Sequence, residues 1–138
     1  MIRLKKSRYG WAATVAVAGG LLAVSVPAVA QTDGLVMLGK LVQGEWTIKY
    51  RDGSPDRKIC VRSGRELIQI RHREANCSRF VVEDGLSKVT VQYTCAGNGY
   101  GRTHIRRESP TLVQIESQGI ESGTPFQLSG EARRTGAC

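Results

Sequence analysis

Along most of the chain after residue 44, apolar and polar residues alternate with a period of two. From Lys88 to Cys95, Val89, Val91, Tyr93 and Cys95 share one side, and Lys88, Thr90, Gln92 and Thr94 the other. That alternation is the mark of a half-buried strand. Upstream, Phe80 and Val82 alternate with Arg79 and Glu83. Asp84-Gly85 between the two runs is a turn signal, because glycine accepts a positive φ without a Cβ clash. The pattern predicts a hairpin with Phe80 opposite Val91, Val82 opposite Val89, and a loop over Asp84–Ser87. This register sets Cys77 against Thr94, one residue short of Cys95, so a bulge near Cys77 is needed to bring the two sulfurs together.

The same period marks the other strands. Glu45–Tyr50 turns Trp46, Ile48 and Tyr50 inward, and Arg51–Asp56 is a turn by composition. Arg57–Val61 then forms a hairpin with that first strand. Arg102–Glu108 and Thr111–Ser117 read as strands, Gly119–Pro125 as a loop, and Phe126–Arg134 as a last strand with Phe126, Leu128 and Ala132 inward. Two stretches break the alternation. In Gly34–Gln43, Leu35, Leu38 and Leu41 recur every third residue, as in a short helix or turn. Ser63-Gly64-Arg65-Glu66 matches a capping box and predicts a short helix from Gly64 to about His72, burying Leu67 and Ile70. A strand is the alternative there, since Ile68, Ile70 and His72 also alternate. The glycines of Ala96–Gly101 mark a turn or a bulged strand entry; a phosphate loop would need a following Lys-Ser/Thr and a helix. The fold class is all-β and mainly antiparallel, with six or seven strands in a single curved sheet or half-open barrel and one or two short helices.

The N-terminus changes the accounting. Arg3, Lys5, Lys6 and Arg8 precede a largely apolar run, Trp11–Val26, which ends at Pro27 and the small-residue pair Ala28 and Ala30. This is the layout of a cleaved signal peptide over residues 1–30. The run is short for a membrane span, and there is neither a twin arginine nor a cysteine at the cleavage point. The expectation is general-route export to the periplasm or beyond, with no transmembrane segment in the mature protein. Removing residues 1–30 from 138 leaves 108, enough for one domain over 31–138. The leader's four cations account for half of the net charge of +8, leaving about +4. That excess is small for a nucleic-acid binder, and export argues against one.

Cys60, Cys77, Cys95 and Cys138 all lie beyond the leader. An even count in an oxidising compartment reads as two disulfides, and of the three pairings Cys77–Cys95 with Cys60–Cys138 is favoured. No Cys-x-x-Cys spacing occurs, and His72 and His104 lack ligand spacing, so neither a metal site nor a cofactor is expected.

One set of motifs resembles a known family. Gly44-Glu45-Trp46 opens the first strand, Ile59-Cys60-Val61 lies in the second, and Cys77 and Cys95 follow. Gly99-Tyr100-Gly101 comes next, and Glu131-Ala132-Arg133-Arg134-Thr135-Gly136-Ala137-Cys138 ends the chain. The pattern, roughly Leu38 to Cys138, resembles the exported proteobacterial family called domain of unknown function 3617. The resemblance implies a small, β-rich periplasmic or secreted protein. It implies no activity and supplies no catalytic residues.

Charge is the chemical feature that stands above background in this chain. His72 lies in Arg71-His72-Arg73 and His104 in Arg102–Arg107, both among cations and both read as surface histidines. Gly-x-Ser-x-Gly is absent, and no carboxylate pair stands out among Glu45, Glu83, Glu108, Glu116 and Glu131. Alternation places Arg102, His104 and Arg106 on one face of a strand and Arg133 on the solvent side of the last one. If those strands neighbour each other, a basic stripe results. Such a stripe suits an anionic envelope polymer, a lipid headgroup or an acidic protein surface. The function that follows is a non-enzymatic binding or envelope-associated module, with a small hydrolase assembled from distant residues as the alternative.

Overall fold

In the computed structural model, which describes residues 35–73 and 76–138, the alternating runs become seven antiparallel strands. They are β1 Gly44–Tyr50, β2 Arg57–Val61, β3 Ser78–Asp84, β4 Lys88–Cys95, β5 Gly99–Ser109, β6 Leu112–Glu121 and β7 Thr124–Gly136. The expected leader with its cleavage site, and the expected polar start at 31–34, lie outside the described residues. Strands β3 to β7 form a meander, and β1 joins the far side of β7, giving the order β2-β1-β7-β6-β5-β4-β3. The sheet does not close, so β2 and β3 are free edges.

Inward positions make the core. Trp46, Ile48, Val89, Val91, Tyr93, Ile105, Val113, Ile115, Leu128 and Ala132 are buried. At about 1.5–3 kcal/mol for each large side chain removed from water, this face is the main source of stability. Two non-strand segments join the same core. One contributes Met37, Leu38 and Leu41, and the other Leu67, Ile68 and Ile70. Among the described residues, no helix is long and apolar enough to cross a membrane.

The predicted helices shrink to single 3-10 turns, Leu38–Lys40 and Arg65–Leu67. In the second, Gly64 is left-handed at φ 84°, and a Cβ there would collide with Leu38. Only part of the capping box forms. The Ser63 N–H donates to the Glu66 carboxylate at 3.3 Å, while the Ser63 hydroxyl accepts from Arg65 N–H at 3.4 Å. A left-handed residue one position after the cap turns the chain off the helical path. Residues 68–70 and His72 are then buried regardless of period, so this stretch is neither helix nor strand.

The central hairpin exists in a corrected register. Val81, not Phe80, faces Val91, and Ser78 faces Thr94. The irregularity falls between Val81 and Glu83 rather than near Cys77. Continued by one residue, the pairing puts Cys77 opposite Cys95, and their Cα atoms are 4.2 Å apart. A one-residue slip exchanges the faces of a strand, so Phe80 and Val82 leave the core for solvent, at 70% and 43% exposure. The pairing Cys60–Cys138 and Cys77–Cys95 is present, and no described cysteine is free.

The expected loop Gly119–Pro125 is also corrected. β6 continues to Glu121, and only Ser122-Gly123 turns, with φ of 47° and 80°. Two central residues with positive φ make a tight hairpin whose twist suits the flanking strands. Gly119 is not a breaker. It lies inside β6, where the β5 backbone at Tyr100 leaves no room for a Cβ.

Candidate functional site

β2 is the edge strand that carries the strongest local charge. Its residues Arg57, Lys58, Ile59 and Cys60 all line one cleft of about 470 Å³. Successive side chains of a strand point to opposite faces. Four in a row can border one space only if that space runs along the strand's edge. The opposite wall comes from the 65–73 segment, with Arg65, Glu66, Gln69, Ile70, His72 and Arg73, and from Arg79 of β3. The cleft therefore lies at the seam left by the unclosed sheet.

Among the described residues five cations face one carboxylate across this space, and Glu66 is engaged with the Ser63 N–H. Lys58 is tied to Glu45 at 2.9 Å, and that hydrogen bond holds the Glu45 carboxyl below its ordinary pKa. Two of the arginines are held by neutral groups. Arg57 Nη1 donates to the Ile70 carbonyl at 2.7 Å, and its buried Nε has no partner. Arg79 Nε donates to Gln69 Oε1 at 2.5 Å, and Gln69 Nε2 donates to the His72 carbonyl at 3.3 Å. Arg73 is exposed and has no ion pair among the described residues. A guanidinium oriented by amides and carbonyls keeps its charge unneutralised, as an anion site requires.

His72 is a correction: the expected surface histidine is fully buried. Its Nδ1 meets the Tyr93 hydroxyl at 3.1 Å, and Nε2 is buried with no hydrogen-bond partner. The two rings stand edge to face at 5.3 Å, with Phe126 tilted against His72 at 5.8 Å. The nearby buried hydroxyls serve the fold. Thr103 donates to the Ile68 carbonyl at 2.6 Å and meets Ser117 at 2.8 Å.

The predicted stripe is divided. Arg102, His104 and Arg106 share the polar face of β5. Arg133 lies two strands away, opposite Leu112 of β6 and Thr47 of β1. Arg106 pairs with Glu108 at 3.0 Å and Arg133 with Glu131 at 3.2 Å. His104 Nδ1 meets Thr90 Oγ1 at 2.8 Å. Arg102 is exposed, without an ion pair among the described residues. It borders a smaller cleft of about 340 Å³ that also holds His104 and Glu116.

Sequence patterning passed over Arg57, Arg65, Arg73 and Arg79, because three separate segments supply them. One signal was available: residues 57–79 carry seven cations, Arg57, Lys58, Arg62, Arg65, Arg71, Arg73 and Arg79, against Glu66 and Glu74. Compared with family models, with curated proteins and with solved structures, the chain finds no match.

Proposed function

We propose that this chain is an exported, non-enzymatic binding module of the cell envelope, akin to the domain of unknown function 3617 family, and that it takes an anionic ligand in the cleft along β2. The observation that carries the reading is the charge imbalance at the seam, where among the described residues Arg57, Arg73 and Arg79 have no ion pair and the one lining carboxylate, Glu66, is already engaged. The buried, unpartnered Arg57 Nε adds to it. Export is supported by the leader pattern and by two disulfides, which persist in oxidising compartments. Mass spectrometry of envelope protein should give a chain beginning at Gln31, and an intact Met1 would count against export.

A hydrolase would use His104 with the Thr90 hydroxyl at 2.8 Å. Thr90 is only 5% exposed and also reaches Glu83, so the pair is built into the sheet rather than presented to a substrate.

The test is binding of fluorescent hexaglutamate and of inorganic polyphosphate at rising salt. Binding should weaken steeply, since exposed charges are screened within about 8 Å at physiological ionic strength. Arg73→Glu should weaken it at least tenfold, and Arg106→Glu, an equal change of charge, only slightly. The reverse result would move the ligand to Arg102, His104 and Arg106. Equal loss would mean net charge alone.

A further inference from the structure

We infer that the ligand of the seam is an extended acidic peptide, which adds to the sheet as an eighth strand along the free edge of β2. This rests on the proposal that the cleft binds anions, and it names the chemical form of the anion.

Main-chain geometry comes first. The cleft is bordered by four consecutive β2 residues, so it is the backbone edge that is presented. β2 pairs with β1 on one side only. Among the described residues, no backbone group of Arg57–Cys60 makes a hydrogen bond on the other side. An unpaired row of N–H and C=O groups is a template for one more strand. The edge is also preorganised: β1 holds it along its length, and the Cys60–Cys138 bridge pins its end. A rigid template loses little entropy when a strand docks. Five residues give about 17 Å of edge at roughly 3.4 Å each, a usual strand length.

Charge then selects the sequence of the guest. Cations on an edge strand deter pairing with another copy of the same edge. Here Arg57 and Lys58 lie on the edge itself, while Arg65, Arg73 and Arg79 face it across the cleft. These charges repel a basic strand and leave a neutral one unrewarded, whereas a strand with Asp or Glu at alternate positions meets arginine forks that match carboxylates. A phosphate polymer or lipid headgroup would satisfy the charges but leave the row of N–H and C=O groups unused.

The experiment uses the disulfide-bonded chain and a fluorescent eight-residue peptide of alternating Glu and Thr. Two further versions are N-methylated, one at odd and one at even residues. In a strand, alternate N–H groups point to opposite edges, so only one set can face β2. The parent should bind at low salt, and one methylated set should bind at least tenfold more weakly while the other stays near the parent. Amide exchange of β2 should slow on binding. Arg73→Glu should weaken all three peptides. Equal effects of the two methylated sets, with Arg73→Glu still disruptive, overturn strand addition and leave an anion site read by charge. Tighter binding of polyphosphate with no peptide binding overturns the peptide as ligand. Indifference to Arg73→Glu overturns the underlying anion site itself.

Discussion

Gly101 is the position where one added methyl group should do the most damage. It pairs with Tyr93 across β4 and β5, and the Tyr93 ring lies over it. A Cβ at 101 would overlap the ring at Cζ and the hydroxyl. The ring has no free space to enter, because Tyr93 is 1% exposed and its hydroxyl is held by His72 at 3.1 Å. Overpacking of this kind costs about 1–3 kcal/mol. Pulling the hydroxyl from His72 adds about 1 kcal/mol, and replacing glycine in a strand returns roughly 0.5–1 kcal/mol. The net expectation for Gly101→Ala is a loss of about 1–3.5 kcal/mol. With an unfolding entropy near 2.1 cal/mol/K per residue, that is a fall in Tm of roughly 4–15 °C for a domain of about a hundred residues. Urea and thermal unfolding under non-reducing conditions measure it. The decisive comparison is a cycle with Tyr93→Val, which removes the ring and is itself costly. In that background Gly101→Ala should be harmless, giving a coupling of about 2 kcal/mol or more. Additivity within about 0.5 kcal/mol would refute the reasoning.

Three further outcomes are expected. Replacing both cysteines of the 60–138 bridge by serine should cost more than replacing those of the 77–95 bridge. Loop entropy gives about 4.5 against about 3 kcal/mol for separations of 78 and 18, and equal costs in non-reducing urea curves would reject that account. Phe80→Ser should leave stability within about 0.5 kcal/mol because the ring is exposed, whereas Val91→Ala, in the core opposite Val81, should cost about 2 kcal/mol; a large loss at Phe80 would restore the register read from the sequence. The Glu45 carboxyl is held below its ordinary value of 4.5, chiefly by its hydrogen bond from Lys58. Its stabilising contribution is present above the unfolded carboxylate pKa and is lost as pH falls through the lower folded value. Lys58→Met should therefore raise the Glu45 pKa in a carbon-detected NMR titration and remove this acid-side dependence.

What was legible in the sequence was whatever two-sided burial encodes. Trp46 and Ile48, or Val89, Val91 and Tyr93, alternate with polar residues because one face of the sheet is dry and the other wet. The disulfide partners Cys60–Cys138 and Cys77–Cys95 agree with the strand pattern and the even cysteine count, whereas the ends of β5, β6 and β7 lie several residues beyond those the pattern marks. The pattern misled where that contrast is absent. On the edge strand β3 every residue has some exposure, so nothing in Phe80 or Val82 reports which way the chain faces, and the disulfide sets the register instead. The 65–73 stretch is buried on several sides at once, so Ile68, Ile70 and His72 suggested a strand while Leu67 and Ile70 suggested a helix. The cleft was hidden for a related reason. Arg57, Arg65, Arg73 and Arg79 share no period, and only the return of the connection between the two sheet edges gathers them.

The pairing of β1 with β7 sets the order of assembly. Ile48 finds its neighbour in Ala132, 84 residues further on, while β3 to β7 join through successive hairpins between adjacent strands. The hairpins can zip as they form, but the β1–β2 unit has no sheet to dock on until β7 is in place. Distant pairings of this kind delay the folding nucleus, and such topologies fold in milliseconds to seconds rather than microseconds. During synthesis Trp46 and Ile48 are made early and covered late, so an apolar segment stays open to a holding chaperone for most of the chain's emergence.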